Sequence, residues 1–198
     1  MLARVSAYGS VKSLEHKSPE QLSELKNLGL GMVYLGFETG DEEVYRFIQK
    51  YGSPAGNVEV RLKLKSAGIK VNVTVIAGLG GKKLSSQHAV NTAKILNLSK
   101  PNQIAVLTLM ITPGTPLFEM KDKGRFEELD SFGVIEETKK LIENLEDFKC
   151  QFFANHASNY YPVAARFPND KEEVMSQLGF ILKGRHKGSL TPDFLRGL

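Results

Sequence analysis

The sequence predicts an α/β protein built on a parallel sheet, and three observations lead there. Short, strongly apolar segments alternate along the chain with segments of helical periodicity. Proline, glycine and serine fall at the boundaries between them rather than inside them. No internal repeat or linker divides the 198 residues, 41% of them hydrophobic, so one continuous core is expected. Periodicity leaves two closures open: a doubly wound open sheet, or an arc of a (β/α) barrel.

Residues 3–8 (ARVSAY) alternate like a strand. Ser18-Pro19-Glu20-Gln21 then opens a helix, with serine as N-cap and proline in its first turn. Leu22, Leu25 and Leu28 form its inward face, and Gly29 ends it. Residues 32–37 (MVYLGF) are continuously apolar, as a strand buried on both faces would be. A second helix begins at Asp41, with Val44, Phe47 and Ile48 inward. Residues 57–66 alternate like a strand yet end in Ser-Ala-Gly, a helix stop; their place between two buried strands predicts a crossover helix. A strand over 70–77 (KVNVTVIA) leads into Gly78-Leu79-Gly80-Gly81, and a helix over 85–98 turns Ala89, Thr92, Ala93 and Leu96 inward. The strand over 103–111 (QIAVLTLMI) stops at Thr112-Pro113-Gly114-Thr115-Pro116. A helix over 130–145, a strand over 149–154, a polar aromatic loop over 155–162 and a helix over 170–182 complete the pattern.

Composition excludes several classes. No run of about 18 apolar residues exists to span a membrane, and the first residues lack the apolar stretch of a secretory signal. The expected location is cytoplasmic. A single cysteine, Cys150, makes neither an internal disulfide nor a zinc or iron–sulfur site of its own; a small buried hydrophobe is its expected role. The net charge of +4 is a mild excess. Its densest source is Lys183, Arg185, His186 and Lys187, which read as a solvated segment. Nucleic acid is not the expected partner, since such a footprint needs more charge and interleaved aromatics.

In either closure the chemistry lies past the carboxyl ends of the strands. Glu38 follows a fully apolar strand there, where a carboxylate is costly unless paired. It could accept hydrogen bonds from ribose hydroxyls or an ammonium group, or cap the helix that starts at Asp41. Lys50, twelve residues on, reads by spacing alone as a cation at a helix C-terminus. Gly78, Gly80 and Gly81 let a ligand approach the backbone but complete neither the dinucleotide nor the Walker pattern. His16, His88, His156 and His186 lack metal-ligand spacing. His156, with Asn155, Asn159 and Tyr160, lies at a strand end and is a candidate for substrate contact.

The succession RVSAYGS, ELKNLGLGMVYLGFETGDEEVYRFIQK, KSAGIKVNVTVIAGLGG and SSQHAVNTAKILNLSKPNQIAVLTLMITPGTPLF resembles the radical S-adenosylmethionine enzymes. Within them it is similar to the Fe–S oxidoreductases of the coproporphyrinogen-dehydrogenase and elongator type. The resemblance runs over about residues 3 to 118. It implies a partial (β/α) TIM-type barrel over residues 1–118, strands three to six of the family's barrel, with 119–198 an α/β extension packed on the same core. It also implies a site for S-adenosylmethionine. Glu38 matches the position that contacts the nucleoside, and Lys50 the basic position that pairs with the methionine carboxylate. Thr74, Gly78 and Gly80 match the fifth-strand motif whose backbone lies near the adenine, Leu109 and Met110 match the sixth strand, and Ser6 falls on the third, near a polar contact.

The sequence departs from the family in having no CxxxCxxC, so the 4Fe–4S cluster is expected in a full-length protein only. Nothing before Ala3 matches the family's first two strands. The chain is accordingly expected to be the carboxyl-terminal portion of such an enzyme and inactive alone. Two missing strands would uncover about five side chains at ~1.5–3 kcal/mol each, a loss comparable with the ~5–15 kcal/mol stability of a whole domain. The chain is therefore expected to be marginal, or to close its exposed sheet edge by self-association. Two other readings stay open: a small α/β nucleoside-binding protein without redox chemistry, with Glu38 as ribose ligand, and a nucleic-acid-interacting domain using Lys183 to Lys187. The small-molecule substrate is not specified.

Overall fold

The computed structural model describes residues 5–184 and 187–197; Arg185 and His186 of the basic segment lie outside them. In chain order the elements are β1 (Val5–Gly9), α1 (Val11–Leu14), α2 (Pro19–Asn27), β2 (Leu30–Glu38), α3 (Glu42–Phe47), α4 (Pro54–Ser66), β3 (Lys70–Ala77) and α5 (Gly81–Ser99). They continue with β4 (Gln103–Thr108), α6 (Pro116–Asp122), α7 (Ser131–Glu143), β5 (Cys150–Phe153), β6 (Ala164–Phe167) and α8 (Lys171–Gly184).

The six strands form one sheet in the order β1-β2-β3-β4-β5-β6. The first five run parallel and β6 returns antiparallel to β5. This order decides between the two closures. A doubly wound sheet needs a point where strand order reverses; here order never reverses, and right-handed crossovers then place successive helices on the same face. The result is an arc of a (β/α) barrel. Val33, Leu35 and Phe37 of β2, Val71, Val73 and Val75 of β3, and Ile104 and Val106 of β4 pack with helix residues in one core. That core extends through Phe132, Leu141 and Ile142 of α7 to Phe167 and Leu178.

Local chemistry sets most boundaries. Ser18 and Gln21 form a capping box at the start of α2, and Ser53, Thr115 and Asp130 cap α4, α6 and α7. Residues 57–66 are helical as expected: Asn57, Val60, Arg61 and Leu64 are buried, a stripe of period 3.6 rather than 2. Leu28, expected inward, is 76% exposed, because α2 stops at Asn27 and Leu28 already turns away as its C-cap. Phe47, also expected inward, is exposed at one edge and stacks on Phe126 with ring centroids 6.0 Å apart. The helices α1 and α6 and the strand β6 add to the expected pattern, and α5 begins at Gly81 instead of Ser85. Among the described residues no helix is long and apolar enough to cross a membrane.

The sheet's other face is the concave side of the arc. Neighbouring strands align Tyr8 with Tyr34, then Tyr34 with Asn72, Gln103 and Gln151. One row nearer the strand ends come Gly36, Thr74 and Ala105, and then Phe153 on β5. Tyr8 is 91% exposed on this face, and β1 pairs with β2 alone among the described strands. Cys150 points the other way, into the core, and burial pushes its thiol up to about 11. It should therefore resist alkylation at neutral pH in the folded protein and react once denatured; mass spectrometry after iodoacetamide treatment, with and without urea, checks this.

Candidate functional site

Glu38 closes β2 in an unusual conformation. The register with β3 shifts between Gly36 and Glu38, and Glu38 has φ 61, in the left-handed region that favours glycine. This turn sends its side chain back along the strand. The carboxylate lies over Gly36, where a Cβ would stand 2.2 Å from Oε1. Lys50 Nζ donates to the same oxygen at 3.1 Å, and both side chains remain about one-quarter exposed, at 26% and 24%. Thr74 stands opposite Gly36 in the register. Glu38, Lys50 and Thr74 are thus brought together on the concave face.

A buried loop holds Glu38 in this conformation. The Gly40 N–H donates to Thr92 Oγ1 at 2.9 Å, and a Cβ on Gly40 would meet the α5 backbone at 2.6 Å. Asp41 is 1% exposed and accepts four hydrogen bonds. Oδ1 takes the Glu43 and Val44 N–H groups; Oδ2 takes the side-chain amides of Gln87 at 2.9 Å and Asn91 at 2.6 Å. Burial pushes this carboxyl up, but the bonds from Val44, Asn91, Gln87 and Glu43 outweigh it and hold it below the ordinary value.

The glycine turn after β3 is buried and left-handed at both ends, with φ 87 at Gly78 and 57 at Gly81. Three N–H groups in and just after it are engaged within the protein: Gly78 with Glu137, Gly81 with the Gly78 carbonyl and Lys82 with the Glu127 carbonyl. On its outer side Phe47, Gly80, Gly81, Lys83, Arg125 and Phe126 line a cavity of about 470 Å³. Glu38, Lys50 and Thr74 are not part of that lining.

The remaining candidates divide. Leu109 N–H donates to the Ala77 carbonyl and ties the ends of β4 and β3 together; the Leu109 carbonyl accepts from Arg196, and Met110 is half-buried. Ser6 lies two rows below Gly36, roughly 13 Å away at ~3.3 Å per residue, and the structure does not bring it to Glu38. Asn155 and His156 are exposed, and His156 Nδ1 lies 3.0 Å from Ser158 Oγ. Asn159 is buried and fastens its loop to β4, accepting from Thr108 Oγ1 at 2.8 Å and donating to the Val106 carbonyl at 2.9 Å. Tyr160 is buried under Arg196, 3.9 Å from the ring centroid, and donates to Asp193. Burial, then that hydrogen bond, drives its hydroxyl far above the ordinary range.

Sequence reasoning missed Gly36, Asp41's fourfold bonding and Glu137. An isolated glycine inside the apolar run MVYLGF was the available signal for Gly36, since such a glycine marks close approach. Glu137 gave none.

No family model matches the chain. In sequence it is 26% identical over 114 residues to 3-methylornithine synthase of Methanosarcina barkeri, covering 58% of this chain and 32% of that protein. It is 21% identical over 132 residues to a tRNA uridine(34) acetyltransferase of Methanocaldococcus infernus, covering 65% of this chain and 25% of that protein. In structure it is similar to the Elp3 of Methanocaldococcus infernus with an N-terminal deletion, with a TM-score of 0.66, 17% identity, and coverage of 91% of this chain and 42% of that one. Methylornithine synthase gives 0.56 at 18% identity, over 89% of this chain and 45% of that one. Coproporphyrinogen III oxidase from Escherichia coli, a radical S-adenosylmethionine enzyme, gives 0.54 at 14%, over 71% of this chain and 32% of that one.

The fold is that of a radical S-adenosylmethionine barrel, in part. The chain spans a minor share of the length of each relative it matches in sequence.

Proposed function

We propose that this chain forms the S-adenosylmethionine-holding part of a radical S-adenosylmethionine protein. The observation that supports it most is the Glu38–Lys50 pair, folded over Gly36 at the strand ends and still open to solvent. Glu38 offers carboxylate oxygens to ribose hydroxyls, and Lys50 an ammonium to the methionine carboxylate. The 78–80 turn and the backbone of Leu109 and Met110 flank the adenine, and Asn155 and His156 are free to meet a substrate.

In the family, S-adenosylmethionine bound at a reduced 4Fe–4S cluster supplies a 5′-deoxyadenosyl radical. The residues present here do not fit the cluster. Cys150 is the sole cysteine and faces the core. Among the described residues no three of His, Cys, Asp or Glu gather as a metal site. No redox step is assigned to this chain, which alone is proposed to form no 5′-deoxyadenosine.

Titration calorimetry with S-adenosylmethionine tests the site. Charge-assisted hydrogen bonds contribute ~1.5–3 kcal/mol, so Glu38→Gln or Lys50→Met should weaken binding about tenfold or more. Lys50→Met should leave adenosine binding unchanged, because adenosine lacks the carboxylate. Absence of wild-type binding to S-adenosylmethionine and adenosine alike would sink the proposal. Equal affinity for the two would favour a nucleoside-binding protein without redox chemistry, for which Glu38 alone suffices.

A further inference from the structure

Glu137 belongs to α7, outside the strand-end loops, yet its carboxylate reaches beneath the 78–81 turn. It is 3% exposed. Oε1 accepts the Gly78 N–H at 2.7 Å and lies 3.0 Å from His88 Nδ1; Oε2 accepts the Ser85 hydroxyl at 2.5 Å. Gly78 opens the turn, while Ser85 and His88 stand on the first turns of α5 that follows it. One carboxylate therefore joins both arms of the turn.

A buried carboxylate is costly, and an apolar side chain of similar volume would fill the same space without that cost. What the carboxylate adds is a fixed acceptor for the Gly78 N–H. His88 is itself 2% exposed, and its Nε2 is buried without a partner. The ring can serve Glu137 only through Nδ1–H, so its function is directed at the carboxylate and not at solvent. Gly78 is left-handed, so it could take several backbone shapes unless something outside the loop selects one.

The geometry points to Glu137 as the positioning residue of the glycine turn. Held by Ser85 and His88, it fixes the backbone shape that the turn presents to an adenine nucleoside, without touching that ligand. The part concerning the ligand rests on the proposed S-adenosylmethionine site; the part concerning the turn does not.

The test is nitrogen-edited NMR of the full chain, wild type and Glu137→Gln, with S-adenosylmethionine as the probe. The Gly78 amide should lose the downfield shift of an N–H bonded to a carboxylate and exchange at least tenfold faster, and the dissociation constant should rise about fivefold. Ser85→Ala removes one donor to Glu137 and should move the Gly78 resonance the same way by less, which serves if Glu137→Gln fails to fold. An unchanged Gly78 amide in both variants overturns the inference. So does a displaced Gly78 with unchanged affinity, since the turn's shape would then not matter to the ligand. Should the wild type not bind the probe while Gly78 moves as expected, the clamp is supported and the failure belongs to the proposed function.

Discussion

Asp41→Ala should lower the unfolding free energy by roughly 3 kcal/mol at neutral pH. A lost N-cap costs about 1 kcal/mol, and each hydrogen bond to a charged group contributes ~1.5–3 kcal/mol. Asp41 combines both, because Oδ1 caps α3 while Oδ2 holds Gln87 and Asn91 of α5. Asp41→Asn should cost less, since an amide oxygen still accepts. The carboxyl's folded pKa is depressed, so its contribution is fully present above the unfolded value of about 3.9. It is lost as pH falls through the folded pKa. Urea unfolding of wild type and variant should thus differ most at neutral pH and less in strong acid, where the neutral carboxyl still accepts but its charge is gone. A constant difference across that range would mean that the carboxylate's charge is not what stabilises the loop.

Gly36→Ala is expected to separate binding from stability. The new Cβ would fall 2.2 Å from Glu38 Oε1, so alanine and the present carboxylate position cannot coexist. The carboxylate must swing off the concave floor and leave Lys50. The cost to the fold is small: a part-exposed ion pair is worth ~0–1 kcal/mol, and glycine within a strand is itself unfavourable by roughly 0.5–1 kcal/mol. S-adenosylmethionine affinity, by contrast, should fall more than tenfold. Calorimetry and a melting curve on the same sample decide it, and retained affinity with an unchanged melting temperature would remove Gly36 from the site.

Elements with a strong local signature are legible in the amino-acid sequence. The apolar runs at 32–37 and 70–77 form β2 and β3, and Ala89, Thr92, Ala93 and Leu96, whose spacing turns them inward on α5, are buried. The strand β6 escapes sequence reasoning because AARF is four residues long and gains its definition only by pairing with β5. For α6 a signal exists, since Thr115 and Pro116 are an N-cap and a first-turn proline, but the same residues also suit the end of a loop. The site is half legible. Its position after β2 follows from the sequence, whereas the backward fold of Glu38 depends on a register shift. Its supports come from far along the chain, Asn91 lying 50 residues from Asp41 and Glu137 lying 59 from Gly78. No periodicity encodes contacts of that range.

The match between strand order and chain order has a kinetic consequence. Each strand touches only those just before and after it, so the sheet behaves as a one-dimensional stack of β–α units. Each parallel pairing closes a loop of one β–α unit, so closure entropies stay modest and folding can nucleate in the middle and spread both ways. Opening runs in reverse: β1 and β6, each with a single neighbour among the described strands, fray first, while β2 and β3 persist longest. Glu38 and the glycine turn stand on that most durable pair, so the site would be among the last parts of the molecule to lose its shape.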